Sequence, residues 1–519
     1  YWVAISMSKT IIIGAGLAGL SAALQAAENG CNVKLVSSLP SERAQSVMAE
    51  GGINAALNTK DENDSPEEHF TDTIKAACGL ADPNAVWGMT QAAPELVHWL
   101  LKLGVKFNMS GYDDVDLRNF GGQKKKRTAF AQSDTGKQIM TAMIDAVRRK
   151  EASGMVERFS HHSFLTLRLC DNICCGCVIR DEYSQETVEL PGDAVIVATG
   201  GMHGLFGNTT GSLSNTGEVT AELFRLGVPL ANGEMIQYHP TTVKCGGKRM
   251  LISEAARGEG GRLFAMKDGK QWYFMEEKYP ELGNLMPRDI TAREIWKVSH
   301  ESEVFLDMTE ISEEIISNKL SGLADDCMTY LHKDIRKEPV SVLPGIHYFM
   351  GGILVDEQHR TPIQNLYAAG ECCAQYHGAN RLGGNSLLGA LYGGRVAAKS
   401  ACEQADVVDL SCATQIDFPP ASQISEIKQL NKVMQETMGV VRNENTLLNG
   451  IQTVQALTGN LPLLGMAVLK SALARKESRG AHWREDYPKS NDDDYLKTTV
   501  ARFDGKQIQI SFVPVPERR

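Results

Sequence analysis

The sequence predicts an α/β protein with a discontinuous Rossmann-like domain, an inserted α+β capping domain and a C-terminal helical domain. Three observations lead to this fold class. A glycine-rich turn follows the first apolar strand, two later apolar strands also end in glycine, and amphipathic helical patterns dominate after about residue 420. We therefore place the Rossmann-like domain at 7–235 and 346–420, the capping domain at 236–345, and the helical domain with a polar tail at 421–519.

The length and composition are those of a globular protein with several domains. A chain of 519 residues exceeds one ordinary hydrophobic core. Its content of 43% hydrophobic and 22% charged residues is typical of soluble domains. A net charge of -10 argues against a nucleic-acid partner, and the short basic run at 123–127 is interpreted as a solvated turn.

The apolar segments do not predict a membrane span. The longest stretch, Ile11 to Ala27, is interrupted by glycines and by two polar residues. No charged leader, cleavage site or twin arginine precedes it, so we expect a cytoplasmic protein. The residues before Met7 are interpreted as an upstream extension and are excluded from the fold.

The cysteines do not predict a metal site. Twelve cysteines in a long chain without a secretion signal predict reduced thiols. The CxxC pair, Cys174 and Cys177, lies in a segment with the pattern of a strand and a turn. No second pair follows at the spacing of a zinc or iron–sulfur site, so we expect these to be buried strand cysteines.

The first element is a strand, KTIIIG, that turns through GAGLAG into a helix and then a second strand, NVKLV. Gly14, Gly16 and Gly19 thus form G-x-G-x-x-G in one βαβ-sized unit, with Ala15 inside it. The first glycine makes the turn, the second admits a pyrophosphate to backbone N–H groups, and the third lets helix and strand pack closely. The unit therefore predicts dinucleotide binding.

The acidic residue that would hold the ribose hydroxyls at the end of the second strand is missing. The strand ends in VSSLP, so Ser37 or Ser38 must make this contact through a hydroxyl or the backbone. This absence weakens an NAD assignment more than an FAD assignment, because FAD is held at many points along its length.

Two later segments, DAVIVATGG at 193–201 and NLYAAGE at 365–371, repeat the pattern of an apolar strand that ends in glycine. In flavoproteins with two dinucleotide domains such strands return to the first sheet, and an acidic residue after the second strand binds the ribityl or ribose part of FAD. The alternative is two ordinary strand–turn segments. The residues expected to contact FAD here are Ala198, Thr199, Gly200 and Glu371.

Four segments, QYHPT, MPRD, GIHYFMGG and HGANRLGG, place cationic or imidazole groups among small residues. A substrate with two carboxylates needs two groups of such donors, because each buried carboxylate must regain its lost hydration from charge-assisted hydrogen bonds. Taken singly, each histidine is better explained as a core or loop residue, and the arginine of the last segment as a solvated charge before a helix. The candidates are His239, Arg288, His347 and Arg381.

Several motifs together carry a family resemblance. They are RAQSVMAEGGINAA, NFGGQKKKRTAFAQSDTG, QYHPT, SEAARGEGG, PRD, HYFMGGI, LYAAGE, HGANRLGGNSLL and RKESRGAHWREDYP. In this order and spacing, from about residue 8 to residue 497, they resemble the flavoprotein subunit of the succinate dehydrogenase and fumarate reductase family. L-Aspartate oxidase belongs to the same family, and we interpret the motifs as those of a fumarate reductase subunit.

The resemblance implies a reaction and the roles of matching positions. In the family, the flavin N5 exchanges a hydride with one carbon of fumarate or succinate, while an arginine handles the proton on the other carbon. Arg288 would be this acid, refilled through Glu254 and Arg257. Because arginine normally keeps its proton, the alternative is that Arg288 only offsets developing negative charge. The implied substrate-binding residues are Phe120, His239, Ser253, His347 and Arg381.

The resemblance also implies how FAD is held. Gln45 stands where membrane-bound members attach a histidine covalently to the flavin, so we expect noncovalent FAD, which favours donation of electrons to fumarate. Glu218 stands where an aspartate is common near the pyrophosphate. The implied FAD contacts are Gly14, Gly16, Gly19, Ser37, Gln45, Ser46, Glu50, Gly51, Gly52, Glu218, Glu371, Arg381, Ser386 and Leu387.

The leading hypothesis is the catalytic subunit of a fumarate reductase, which reduces fumarate to succinate or catalyses the reverse reaction. The resemblance implies an iron–sulfur partner, and any membrane association would arise through partner subunits. L-Aspartate oxidase is the first alternative, although Gly389 replaces an acid of those enzymes. A flavin electron carrier with a vestigial substrate pocket is the second alternative.

Overall fold

The computed structural model describes residues 8–405, 410–416, 418 and 423–519. The expected upstream extension and the expected boundary at 420/421 lie outside the described residues. The strands are β1 (Lys9–Ile13), β2 (Asn32–Ser37), β3 (Ile53–Asn54), β4 (Leu117–Arg118), β5 (Thr128–Ala129), β6 (Val156–Ser160), β7 (His162–Cys170), β8 (Ile173–Asp181), β9 (Thr187–Pro191), β10 (Ala194–Val197), β11 (Leu230–Ala231), β12 (Ile236–Cys245), β13 (Lys248–Leu251), β14 (Arg262–Lys267), β15 (Lys270–Trp272), β16 (Val304–Asp307), β17 (Val340–Ser341), β18 (Leu343–Phe349), β19 (Gly352–Leu354), β20 (Leu366–Ala368), β21 (Cys373–Ala374), β22 (Lys497–Phe503) and β23 (Ile508–Pro514).

The α-helices are α1 (Leu17–Glu28), α2 (Pro66–Ala76), α3 (Pro83–Lys102), α4 (Thr135–Ala152), α5 (Glu218–Arg225), α6 (Glu254–Gly258), α7 (Phe274–Lys278), α8 (Arg288–Ser299), α9 (Glu313–Lys319), α10 (Ser321–Asp326), α11 (Asn385–Gln404), α12 (Ile424–Thr437), α13 (Glu444–Val454), α14 (Asn460–Ala474) and α15 (Asp492–Tyr495).

A five-stranded parallel sheet in the order β20-β10-β1-β2-β6 forms the Rossmann-like core. In the central strand, Ile12 pairs with Leu35 of β2 and Ile196 of β10. Helices α1, α4 and α11 cover one face, and the β7-β8-β9 sheet covers the other. The prediction that both later glycine-ended strands return to this sheet is confirmed. The carboxyl ends of its strands therefore share one edge.

The glycine turn has the predicted geometry. Gly14 has φ of 110° and its N–H donates to Val36 O at 2.8 Å, so β1 bends sharply into α1. A Cβ on Gly19 would lie 1.9 Å from Gly14 O, which shows that the third glycine lets the helix approach the strand. Deeper in the same layer, a Cβ on Gly394 of α11 would lie 2.3 Å from Ala18 O of α1.

The inserted segment has a hydrophobic cluster of its own. Residues between Ile252 and Val342 form this cluster, and Phe120 joins it from the Rossmann-like part. Two antiparallel sheets, β13-β12-β18 and β15-β14-β16-β17, build the segment together with α6 to α10. In the first sheet His239 of β12 pairs with Gly345 of β18, so the QYHPT and GIHYF motifs lie side by side.

The C-terminal region contains the predicted helices but also strands. Helices α12, α13 and α14 share a hydrophobic cluster with Phe206, Phe224 and Ile346, so they pack directly on the rest of the chain. The expected polar tail is wrong in part, because β22 and β23 pair with each other and β22 also pairs with β11. Thr499, Val500 and Ala501 are fully buried, which explains why this segment is a strand.

The cysteines follow the prediction only in part. Cys174 and Cys177 are fully buried in β8, as expected. The expectation of reduced thiols throughout is wrong, because the structure has disulfides between Cys31 and Cys402 and between Cys170 and Cys412.

Within the described residues no group of His, Cys, Asp or Glu side chains is arranged for a metal ion, and no helix has the length and apolarity that a membrane crossing needs.

Gly394→Ala tests the contact between α1 and α11. Alanine is the better helix former by about 1 kcal/mol, but its Cβ would meet the Ala18 carbonyl at 2.3 Å. We expect the free energy of unfolding to fall by about 1–3 kcal/mol, measured by thermal or denaturant unfolding. Gly247→Ala is the control, because a Cβ there meets nothing within 4 Å. Equal stability of the two variants would contradict the packing described.

Candidate active site

A buried ion pair between Arg288 and Glu254 lies between the capping segment and the Rossmann-like part. Arg288 is the first residue of α8 and donates from Nε at 2.8 Å and from Nη2 at 2.6 Å to Glu254 Oε2. Both side chains are almost completely buried. A pair removed from water in this way holds its guanidinium in one orientation.

Both carboxylate oxygens of Glu254 have partners. Its Oε1 accepts from Gly121 N at 3.0 Å and lies 3.5 Å from Arg257 Nη2. Burial acts to raise the pKa of Glu254, but the guanidinium groups of Arg288 and Arg257 hold that pKa below its ordinary value. Burial also lowers the pKa of Arg257, against the effect of Glu254. The three residues form one chain of alternating charge, Arg288–Glu254–Arg257.

Gln237 connects these three charged residues to the loop that carries Arg381, and the sequence analysis missed Gln237. Its Oε1 accepts from Arg288 Nη1 at 3.0 Å, while its Nε2 donates to Asn380 Oδ1 at 3.0 Å and to Arg381 O at 2.8 Å. The signal was available, because Gln237 lies two positions before His239 in QYHPT. On an extended strand such residues point to the same face.

Arg381 is a buried cation without an anionic partner. It is 2% exposed, and within the described residues its guanidinium has no hydrogen bond and no carboxylate within 4 Å. The ring of Tyr348 covers the guanidinium at 4.2 Å. Burial, with Arg288 nearby, lowers the pKa of Arg381 to about 9. A guanidinium in this environment requires an anion to compensate its lost hydration.

The loop that carries Arg381 is held by a buried amide network. Asn54 Nδ2 donates to Gly383 O at 2.7 Å and to Asn385 Oδ1 at 2.8 Å. Gln123 Nε2 donates to the same Gly383 O at 2.9 Å. The lone arginine in HGANRLGG is therefore fixed by backbone contacts on both sides, and the alternative of a solvated charge is wrong.

The C-terminal region holds the same loop from outside. Ala481 N donates to Ala379 O at 2.8 Å. Gly480 has φ of 54°, and a Cβ on it would lie 2.5 Å from Ala379 O. The RKESRGAHWREDYP motif thus sits directly behind the HGAN segment, two residues from Arg381.

The two candidate histidines face each other. The rings of His239 and His347 are 5.1 Å apart in an edge-to-face arrangement. Burial and the nearby cations, Arg288 first, hold the pKa of each well below its ordinary value, so both rings are neutral. Nδ1 of His239 lies 3.2 Å from Thr241 N, and Nδ1 of His347 lies 2.7 Å from Thr210 Oγ1. No described residue bonds to Nε2 of either ring.

Phe120 and Ser253 lie beside these groups. Phe120 is 1% exposed, and a Cβ on Gly51 or Gly383 would lie within 3 Å of its ring. Phe120 thus separates the loop at Gly51 from the Arg381 loop. Ser253 is the N-cap of α6, where its Oγ accepts from Ala255 N at 3.4 Å. The structure therefore brings together all the residues that the sequence predicted for catalysis and substrate binding.

The predicted cofactor residues of the first unit lie at the carboxyl edge of the parallel sheet. Gly16 is the N-cap of α1, and Ser46 Oγ accepts from Leu17 N at 3.3 Å. The Ser37 hydroxyl at the end of β2 is buried and has no partner among the described residues, whereas Ser38 is exposed. Ala15 is buried next to the turn. An orphaned hydroxyl at this edge fits a contact with a bound dinucleotide.

The next cofactor loop is fastened to its neighbours. Gln45 Oε1 accepts from Ser212 N at 2.6 Å. Gly52 has φ of 137°, and a Cβ there would lie 2.5 Å from Ala129 O. Burial, and then the charge of Asp326, raise the pKa of Glu50 to about 8, and its Oε2 has no hydrogen-bond partner among the described residues.

The remaining predicted FAD contacts differ in their surroundings. Glu371 Oε1 accepts from Phe349 N at 3.1 Å and lies 3.7 Å from His203 Nε2, which places it next to β18. Glu218 is exposed at the first residue of α5 and has no described bond to the other candidates. The other predicted FAD contacts lie after the end of β10 or at the start of α11, and they are Ala198, Thr199, Gly200, Ser386 and Leu387.

The chain is similar to known flavoproteins along nearly its whole length. Residues 9–387 match the family model described as the FAD binding domain, and residues 457–518 match the one described as the fumarate reductase flavoprotein C-term. The succinate dehydrogenase flavoprotein subunit of Bacillus subtilis is 38% identical, over 99% of this chain and 98% of that protein. The chain belongs to the succinate dehydrogenase and fumarate reductase flavoprotein family.

Other members of the family agree. The 8-methylmenaquinol:fumarate reductase flavoprotein subunit of Wolinella succinogenes is 32% identical over 98% of this chain and 92% of that protein. A solved variant of the E. coli quinol fumarate reductase FrdA superposes with a TM-score of 0.89 at 27% identity, over 98% of this chain and 97% of that one. This member is therefore a flavin-dependent oxidoreductase that binds FAD, and the L-aspartate oxidase alternative gains no support.

Ser37→Ala tests the contact between β2 and FAD. If FAD satisfies the orphaned hydroxyl, its loss should raise the dissociation constant for FAD about two- to ten-fold, measured by titrating the apoprotein with FAD. Thr10→Val is the matched control, because Thr10 Oγ1 is also buried without a partner but lies at the other end of β1. The assignment would be contradicted if Thr10→Val bound FAD more weakly than the wild type, or if Ser37→Ala bound FAD as tightly as the wild type.

Proposed function

We propose that the protein interconverts fumarate and succinate by FAD-dependent chemistry, with reduction of fumarate as the favoured direction. The observation that carries the proposal is Arg381, a buried guanidinium that has no carboxylate within 4 Å among the described residues. Arg381 lies near Arg288 and His347, and Arg288 lies near both candidate histidines, so the positive charge or ring N–H groups of these residues also suit an anion.

Charge balance favours a dicarboxylate over a neutral substrate. Three guanidinium groups, on Arg257, Arg288 and Arg381, are buried there, and Glu254 is bonded to only the first two. A dianion would compensate the excess positive charge from both ends, with one carboxylate at Arg381 and the other at the histidines. A substrate without charge would leave Arg381 uncompensated, which is strongly unfavourable at this depth.

Arg288 is proposed to handle the proton on the substrate carbon. Bound FAD would supply or accept the hydride, which is its ordinary chemistry. As Arg288 gives its proton to the substrate, it would take one back through Glu254, whose Oε2 accepts from both Nε and Nη2. Because Glu254 is a carboxylate with a lowered pKa, it would in the same transfer take a proton from Arg257 at Oε1, and Arg257 would be reprotonated from solvent. Such a relay is needed because a free guanidinium holds its proton too strongly to act alone.

Phe120 and Ser253 complete the proposed substrate chamber. The Phe120 ring would exclude water and press the substrate against the flavin, while Ser253 would offer its hydroxyl to a carboxylate. Electrons are proposed to come from an iron–sulfur partner, through which any membrane association would arise. Support comes from the relatives in Bacillus subtilis and Wolinella succinogenes, which are both named flavoprotein subunits.

Steady-state assays in both directions on one preparation test the function. We expect reduced viologen to be oxidised in the presence of fumarate, and succinate to reduce an electron acceptor more slowly. Arg288→Gln or Arg288→Lys should lower both rates at least about 1,000-fold because the proton donor is lost, while FAD stays bound. Wild-type rates in these variants would end the assignment of Arg288, and lack of any turnover by the wild type would end the proposed function.

Acid precipitation tests the attachment of FAD. Gln45 has no nucleophilic ring nitrogen, and its Oε1 is already occupied by Ser212 N. We therefore expect a colourless pellet and a yellow supernatant, with free FAD as the standard. A protein band that fluoresces on a denaturing gel would contradict noncovalent binding.

A further inference from the structure

His347 is held by a side chain that the sequence analysis did not single out. Thr210 Oγ1 lies 2.7 Å from His347 Nδ1, and Thr210 N donates to Ile346 O at 3.0 Å. Thr210 belongs to the loop before α5, whereas His347 lies on β18, which pairs with β12. The contact therefore joins a predicted substrate ligand to a loop that is 137 residues away in the sequence.

The loop that carries Thr210 is itself fixed at several points. Thr209 Oγ1 lies 3.0 Å from His203 Nδ1 and accepts from Gly211 N at 3.2 Å. A Cβ on Gly211 would lie 2.2 Å from the His203 ring, so this position tolerates only glycine without rearrangement. Ser212 N is bonded to Gln45, as described above. The Thr210 hydroxyl consequently has a defined position relative to the imidazole.

This position decides which nitrogen of His347 carries the proton. A neutral imidazole has one N–H, and the other nitrogen is an acceptor. The Thr210 hydroxyl could donate to Ile346 O, but that oxygen is 3.4 Å away and already accepts from Thr210 N. Nδ1 at 2.7 Å is the better acceptor for the hydroxyl proton. With Nδ1 accepting, the ring proton must reside on Nε2.

The other tautomer would defeat anion binding. With the proton on Nδ1, Nε2 would turn a lone pair toward the chamber and repel a carboxylate. No described residue bonds to Nε2, so nothing else in the described chain sets its state. Arg288 and Arg381 are the charged groups that face this ring, and both disfavour a second ring proton.

We propose that Thr210 is a positioning residue that holds His347 in the Nε2–H tautomer, so that this neutral ring donates a hydrogen bond to a substrate carboxylate. The inference rests on the proposed function, since it names a further residue of the same site. A hydrogen bond from a neutral donor to a carboxylate changes affinity by about ten-fold or more.

Thr210→Val tests the proposal because valine keeps the shape and removes the hydroxyl. In the FAD-loaded enzyme we expect KM for fumarate to rise about ten-fold with kcat changed less than about three-fold. The dissociation constant of malonate, a dicarboxylate that is not turned over, should rise by the same factor, measured from the change in flavin absorbance. Thr210→Ser should restore both values, because serine keeps the hydroxyl.

A control variant and a direct measurement make the test decisive. Thr141→Val removes a hydroxyl that bonds Lys137 O on the exposed face of α4, and it should behave as wild type. If Thr210→Val does not fold, the nitrogen chemical shifts of ¹⁵N-histidine in the wild type, assigned to His347 with His347→Gln, report the tautomer directly. A protonated Nδ1 would overturn the proposal.

The inference and the proposed function fail in different ways. Wild-type enzyme that turns over neither fumarate nor succinate contradicts the proposed function. If the wild type is active and Thr210→Val has unchanged KM and unchanged malonate binding, only the role of Thr210 is overturned. The role of Thr210 is also overturned if Thr210→Ser binds malonate as weakly as Thr210→Val.

Discussion

Burial of positive charge is the constraint on which the rest of this molecule depends. Three buried guanidinium groups, those of Arg257, Arg288 and Arg381, lie near one another, and the only carboxylate paired with any of them among the described residues is that of Glu254. Buried cations are costly unless anions or dipoles compensate them. Gln237 accepts from Arg288 and the Tyr348 ring covers Arg381, while the amide network around Asn54 holds the loop that carries Arg381.

The two halves of the chamber come from separate structural units, which explains the long-range contacts. Arg288, Glu254 and His239 belong to the capping segment, while Arg381 follows the last strand of the parallel sheet. Gln237 bonds to both halves, so it couples their relative position to the orientation of Arg288. Electrostatic sites perform best when donors are oriented before the substrate arrives.

The sequence predicted what depends on short spacing or on a well-marked motif. The glycine turn and the parallel strands that return to it follow from local patterns, while the residues around Arg288 and Arg381 were implied by motifs that resemble a known family. Asn54 and Thr210 did not, because their importance arises from partners 329 and 137 residues away. Gln237 was missed although it stands two positions before His239. The strands β22 and β23 were missed although IQISFV alternates, since the charged residues around them suggested a tail.

The hydrogen bond between Ala481 and Ala379 has a consequence for biosynthesis. Ribosomes make the chain from its amino terminus, so the parallel sheet and the capping segment emerge long before the residues that close the arginine loop from behind. The surroundings of Arg381 are therefore completed only after the residues near 481 have been made. Until then the loop that carries Arg381 lacks its support from the C-terminal region.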